Sequence, residues 1–257
     1  MNKKLWYLVA IILAVANILM YLIIRLPERV FVLWDDLSGL VSMALAVVFL
    51  LQASKLAGSA EQKALRLFAL GFGGRAVGQL LWAIFDFSHP QTIAPFPSTS
   101  DIAFIAFYVF VLFGLFFLLK HCLPLISKTH WVIAAGVLIV LLAAASTLVS
   151  PAMHYMAYYE MSWFGKLLSF AYPFLDIVIV ALILPVILLF AGGNIGQSWL
   201  ITVVGFVAIA AADTVFAYLH LTGRYIITAN SGILSALGGL LVMAGSIRFV
   251  QSHTTAS

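Results

Sequence analysis

Apolar residues run through this chain in long blocks, and most polar positions fall at the block ends. The blocks span approximately 5–24, 32–54, 64–86, 101–120, 130–149, 166–190, 197–220 and 228–250. A helix that crosses a bilayer needs about 20 predominantly apolar residues, so the pattern predicts an all-α integral membrane protein with eight transmembrane helices. The connections are short. A single membrane domain, 1–257, is expected, with no room between blocks for a soluble catalytic or nucleic-acid-binding domain.

Composition removes the soluble alternative. Of 257 residues, 64% are hydrophobic and only 9% charged, far from the balance of a soluble globular domain. The net charge of +4 reflects topology rather than nucleic-acid binding. Lys3, Lys4, Lys55, Lys63, Arg66, Lys120, Lys128 and Arg248 fall on one side of the predicted bundle. Arg25, Arg29, Lys166 and Arg224 fall on the other, among most of the acids. Lys and Arg accumulate on the cytoplasmic side of multi-pass proteins, which places both termini in the cytoplasm and the chain in the plasma membrane of a prokaryote. Ala14-Val15-Ala16 looks like a cleavage site, but the apolar run continues to Ile24, so an uncleaved first helix is expected. The lone Cys122 excludes an internal disulfide and a thiolate metal cluster.

The two halves of the chain show a weak internal similarity. Laying Gly71-Phe72 on Gly205-Phe206 matches Ala76 with Ala210, Gln79 with Asp213, Trp82 with Phe216 and Ala83 with Ala217. Asp36 and Asp176 correspond near the starts of helices two and six, and the spacing Asp101 to Gly114 parallels Gly232 to Gly245. These matches predict two four-helix repeats, 1–124 and 125–257. Four crossings return the chain to its starting side, so the repeats would be parallel.

Arg75 and Asp213 stand out because each lies deep within an apolar block. A charge at that depth costs about 2.5–3.5 kcal/mol on insertion scales and persists where it is paired or faces a wet cavity. Two readings stay open: a structural ion pair between helices, or the polar floor of a binding cavity. In the second, Arg75, Gln79 and Asp213 form the floor, and Trp82, Phe216 and Tyr218 the walls. The glycines Gly71, Gly74 and Gly78 of helix three, with Gly238, Gly239 and Gly245 of helix eight, are expected to permit close helix packing.

A second constellation is a ring of acids on the outer side. Asp35 and Asp36 open helix two, Asp101 opens helix four, Asp176 opens helix six and Asp86 closes helix three. Acids at helix starts cap free N–H groups, yet together they also form a candidate outer mouth. His89, His154 and His220 share that side and are weak metal candidates, without the spacing of a zinc-binding helix motif. The aromatic segment from His154 to Phe164 reads as an interfacial belt. No nucleophile elbow, phosphate-binding loop, CxxC pair or late mid-membrane lysine is present; the cofactor is left unknown, with a metal or haem on these histidines conceivable.

Three segments carry a family resemblance. Pro95-Phe96-Pro97-Ser98-Thr99-Ser100-Asp101 followed by Tyr108 and Gly114, Ala171-Tyr172-Pro173-Phe174-Leu175-Asp176, and Ala212-Asp213 with Tyr218, Gly223 and Tyr225 form the set. Together they resemble the eight-helix amino-terminal membrane sensory regions of bacterial diguanylate cyclases and histidine kinases. The resemblance implies a membrane-embedded input module. It departs at the eighth helix, where Ser231, Gly232 and Leu234 stand in place of an early acid or Trp. No cyclase, phosphodiesterase or kinase segment follows that helix, so output is expected through a separate signalling partner.

The leading expectation is therefore a non-enzymatic sensory or ligand-binding membrane protein. Its ligand would be small and hydrophobic or amphipathic, reaching the interior from the outer face. Two alternatives are a proton-coupled transporter titrating Asp213, and an intramembrane enzyme modifying lipids or isoprenoids through the outer acids and histidines.

Overall fold

Hydrocarbon offers no partner for backbone N–H and C=O groups, so an apolar block inside a bilayer must satisfy them within its own helix. Each of the eight blocks does so in a computed structural model that describes residues 3–24, 26–89, 92, 95–155, 160–190, 194–224 and 231–254. Arg25, Tyr225 and the centre of the aromatic segment, 156–159, lie outside the described residues. The helices are α1 (Lys3–Leu22), α2 (Glu28–Ser54), α3 (Ser59–Ser88), α4 (Ser100–Cys122), α5 (Lys128–Ala152), α6 (Trp163–Leu189), α7 (Asn194–Leu221) and α8 (Ser231–Thr254). All eight are long and apolar enough to cross a membrane, and their ends lie within a few residues of the predicted blocks. The chain is an all-α multi-pass membrane protein. The face at which α2, α4, α6 and α8 begin, opposite the start of α1, is here the distal face.

Packing follows a paired plan. In the first half α3 lies between α2 and α4, and in the second α7 lies between α6 and α8. The halves join where α2 meets α8 and where α4 meets α6. Exchanging α2 with α6, α3 with α7 and α4 with α8 leaves this set of neighbours unchanged. The first helix of each half breaks the plan: α1 lies mainly on α8, whereas α5 lies on α6 and α7. Both present exposed apolar side chains, among them Leu5, Ile11, Val132 and Val140, to the surroundings, as lipid contact requires.

Small residues set the closest approaches. Within lipid, helices associate through packing and hydrogen bonds rather than through removal of apolar surface from water. A methyl group on Gly205 would meet the Gly238 carbonyl oxygen at 2.7 Å, and one on Gly238 would meet that of Gly205 at 2.8 Å. Gly71 and Gly74 press in the same way on the carbonyls of Phe107 and Ala103 in α4, and the Phe104 ring covers Gly78. Helix-three glycines thus serve packing. Gly71 and Gly205, aligned in the sequence, each bring their helix against the last helix of their own half.

Across the centre, α3 and α7 are linked by large side chains rather than by close backbone contact. Phe72 and Phe206 meet edge to face at 5.7 Å, and Trp82 and Phe216 at 5.9 Å. Both are pairs that the alignment of the halves equates, so equivalent positions face each other over the midline. Phe68, Phe107 and Trp199 complete this aromatic core. On its distal side the core gives way to the polar site.

Candidate functional site

Arg75 and Asp213 meet there. The guanidinium donates from Nη1 to Asp213 Oδ2 at 2.8 Å and from Nη2 to Oδ1 at 2.5 Å, a two-pronged planar pair. Arg75 is 6% exposed, and the Phe104 and Phe107 rings lie 5.9 and 5.2 Å from its guanidinium carbon. Aromatic faces attract a desolvated cation, so the fork is held from the side as well as from the front. The pair is a structural clamp between α3 and α7 and also part of a cavity wall. The two readings left open by the sequence are compatible.

The cavity measures about 100 Å³ and is lined by Arg75, Gln79, Trp82, Asp213 and Phe216 together with Asp35, Asp101, Phe104, Tyr108, Tyr172, Gly232 and Ser235. Five of the six expected floor and wall residues therefore line one cavity. Tyr218 does not. It packs with Met161 and Phe170 against Val149, Ala152 and Leu221, on another face of α7. The cause is helical register: five residues advance the chain by about 140° beyond a full turn, whereas the three from Asp213 to Phe216 keep nearly the same face.

The acids are arranged differently from a ring at the mouth. α2 begins at Glu28 and α6 at Trp163, so Asp36 and Asp176 lie inside their helices rather than opening them. Both are buried, as is Asp101. Each acid receives a neutral donor. Tyr21 donates to Asp35, Gln79 Nε2 to Asp36 Oδ1 at 3.3 Å, and Trp82 to Asp86. Tyr172 donates to Asp101 Oδ1 at 2.6 Å, while Ser98 supplies its backbone N–H to Asp101 Oδ2 at 2.6 Å. Asp101 thus closes the turn preceding α4. The Tyr108 hydroxyl lies 2.8 Å from Asp213 Oδ2 and 3.2 Å from Asp176 Oδ2. It carries one hydrogen and can donate to only one of them at a time.

Sequence reasoning about the residues missed the two tyrosines. They stack on each other at 5.6 Å, with planes 18° apart. Their spacing holds a usable signal: Asp101 and Tyr108 are seven residues apart on α4, Tyr172 and Asp176 four apart on α6, and both separations keep one helical face. A buried tyrosine hydroxyl also needs a partner. Ser98, Asp101 and Tyr172 form one hydrogen-bonded group and Tyr108, Asp176 and Asp213 another, and the stacked rings of Tyr108 and Tyr172 join the two.

Local structure explains two glycines. A methyl group on Gly39 would meet Gln79 Cδ at 3.1 Å, so its absence lets Gln79 cross from α3 to Asp36. Gly232 abuts the Asp35 carboxylate closely enough that any side chain there would collide with it.

The histidines do not converge. His89 stacks on Phe85 and is exposed, His154 is exposed, and His220 lies against the Phe96 and Phe216 rings at 4.9 and 4.3 Å. Among the described residues no group of three or more His, Cys, Asp or Glu side chains is placed to hold a metal ion.

A second opening, of about 410 Å³, lies between α2 and α3 toward the distal face. Val32, Leu33, Leu37, Ala83 and Phe87 line it with Glu28, Arg29, Asp36, Asp86 and His89. Asp36 belongs to this groove and Gln79 to the interior cavity, so their hydrogen bond forms the partition between the two. Comparison with known proteins gives no match to a protein family, a curated protein or a solved structure.

Proposed function

We infer that this protein is a membrane-embedded sensory or ligand-binding protein whose site is the cavity between α3 and α7. The observation that carries the reading is the convergence of Arg75, Gln79, Trp82, Asp213 and Phe216 on one cavity between helices of different halves. At about 100 Å³ the space fits a small polar group and is well below the roughly 300–1,000 Å³ of sites for whole drug-sized ligands. With its fork closed on Asp213, Arg75 is spent as an anion receptor. The remaining wall is acidic and suits a hydrogen-bond donor or a cation. The same reading treats 1–124 and 125–257 as repeats, supported by the paired neighbours and facing aromatic pairs. It puts both termini in the cytoplasm of a prokaryote on the strength of the charge pattern, and passes output to a separate signalling partner.

Native mass spectrometry of gently purified protein supplies the ligand, and a thermal-shift titration tests its seat. Ligand-dependent stabilisation is expected in the wild type and absent in Asp213→Asn and in Ser235→Leu. The second variant fills the cavity without touching the ion pair. Full stabilisation of Ser235→Leu by the same ligand would remove the cavity from the reading.

One observation favours a second reading, a proton-coupled carrier. Asp176, Tyr108 and Asp213 form an acid–phenol–acid row, and the stacked Tyr172 extends it to Asp101 near the distal face. Proteoliposome flux that collapses in Tyr108→Phe and Asp213→Asn is the expected result for a carrier. Flux indifferent to both substitutions excludes it.

A further inference from the structure

The groove between α2 and α3 is lined by a carboxylate that lies well inside a helix. Asp36 is 5% exposed, about two turns inside α2, and faces the groove. Its Oδ1 accepts from Gln79, while no described residue donates to Oδ2. The carboxylate therefore keeps acceptor capacity, and it lines the open space of the groove rather than being packed away. Charge in the groove is unbalanced in the same direction. Among the described residues, Glu28, Asp36 and Asp86 line it with one guanidinium, that of Arg29, and with His89. Between these acids the lining is apolar: Leu33, Leu37, Ala83 and Phe87.

We propose that this groove binds an alkylamine, its protonated amino group donating to Asp36 Oδ2 and its chain lying along Leu33, Leu37 and Phe87. The groove is a second site beyond the interior cavity of the reading above, joined to it through the Asp36–Gln79 hydrogen bond. An ammonium group supplies both the donor and the positive charge that the groove lacks, whereas an alcohol supplies only a donor and a carboxylate adds repulsion. The shared Asp36–Gln79 hydrogen bond then couples occupancy to the interior. An amine that draws Asp36 toward the groove loosens Gln79, whose side chain lines the cavity beside Arg75.

The test is calorimetric titration of octylamine, octanol and octanoate into the full chain in phosphatidylcholine nanodiscs, with empty nanodiscs subtracted. Octylamine is expected to bind at least about tenfold more tightly than either competitor, and Asp36→Asn to lose about tenfold, the scale of one desolvated charge contact. Ala83→Phe, which fills the groove and alters no acid, is expected to abolish octylamine binding and guards against misfolding of the first variant. Equal binding of octanol and octylamine, or octylamine binding unchanged in Asp36→Asn, would overturn the proposal. Those results leave the interior cavity to be judged separately, through Asp213→Asn and Ser235→Leu.

Discussion

The Tyr108 hydroxyl stands 3.2 Å from Asp176, tying α4 to α6 in the buried interior while the same oxygen serves Asp213 on α7. Three helices depend on one phenol. Tyr108→Phe removes the single hydroxyl that the Asp176 and Asp213 carboxylates share and is expected to cost about 1–3 kcal/mol. Tyr172→Phe is expected to cost less, because Asp101 keeps its bonds from Ser98. Reversible unfolding in mixed micelles measures both, and the opposite order would contradict the network.

Breaking the Arg75–Asp213 clamp from one side strands a buried charge. Arg75→Ala and Asp213→Asn are each expected to destabilise the fold by about 3–5 kcal/mol. Replacing both with apolar residues of similar volume, Arg75→Met with Asp213→Leu, is expected to recover most of that loss, because the desolvation cost of the pair disappears with it. A double variant as unstable as the sum of its parts would show that the two residues act independently.

Glycine contacts give a contrast within one residue type. Gly205→Ala pushes a methyl group into the Gly238 carbonyl and is expected to cost about 1–3 kcal/mol through overpacking of α7 on α8. Gly73→Ala meets nothing within 4 Å and sits mid-helix, so it is expected to be neutral or to stabilise by roughly 0.5–1 kcal/mol. Thermal unfolding of the two variants side by side distinguishes them.

The membrane class and helix limits were legible because hydropathy over a bilayer-length window is set by the solvent itself. Arg75 and Asp213 were legible for the same reason: charge at depth demands a partner, and the pair closes. Asp36 and Asp176 were misread as helix openings because an acid lowers local hydropathy whether it ends a helix or sits inside one beside a donor. Tyr108 and Tyr172 were hidden from residue-level reading for the opposite reason. Aromatic residues are ordinary content of membrane helices, and only their phase relative to Asp101 and Asp176 sets them apart. Tyr218 was placed by proximity in sequence to Asp213, where the angular step around the helix points it elsewhere.

The way α3 and α7 touch has a mechanical consequence. Because these two central helices interlock through an ion pair and a column of rings instead of a glycine seam, their spacing is adjustable in a way that the α7–α8 seam is not. A guest that competed for Asp213 would draw a prong away from Arg75 and leave the column of rings as the remaining strut between the two inner rods.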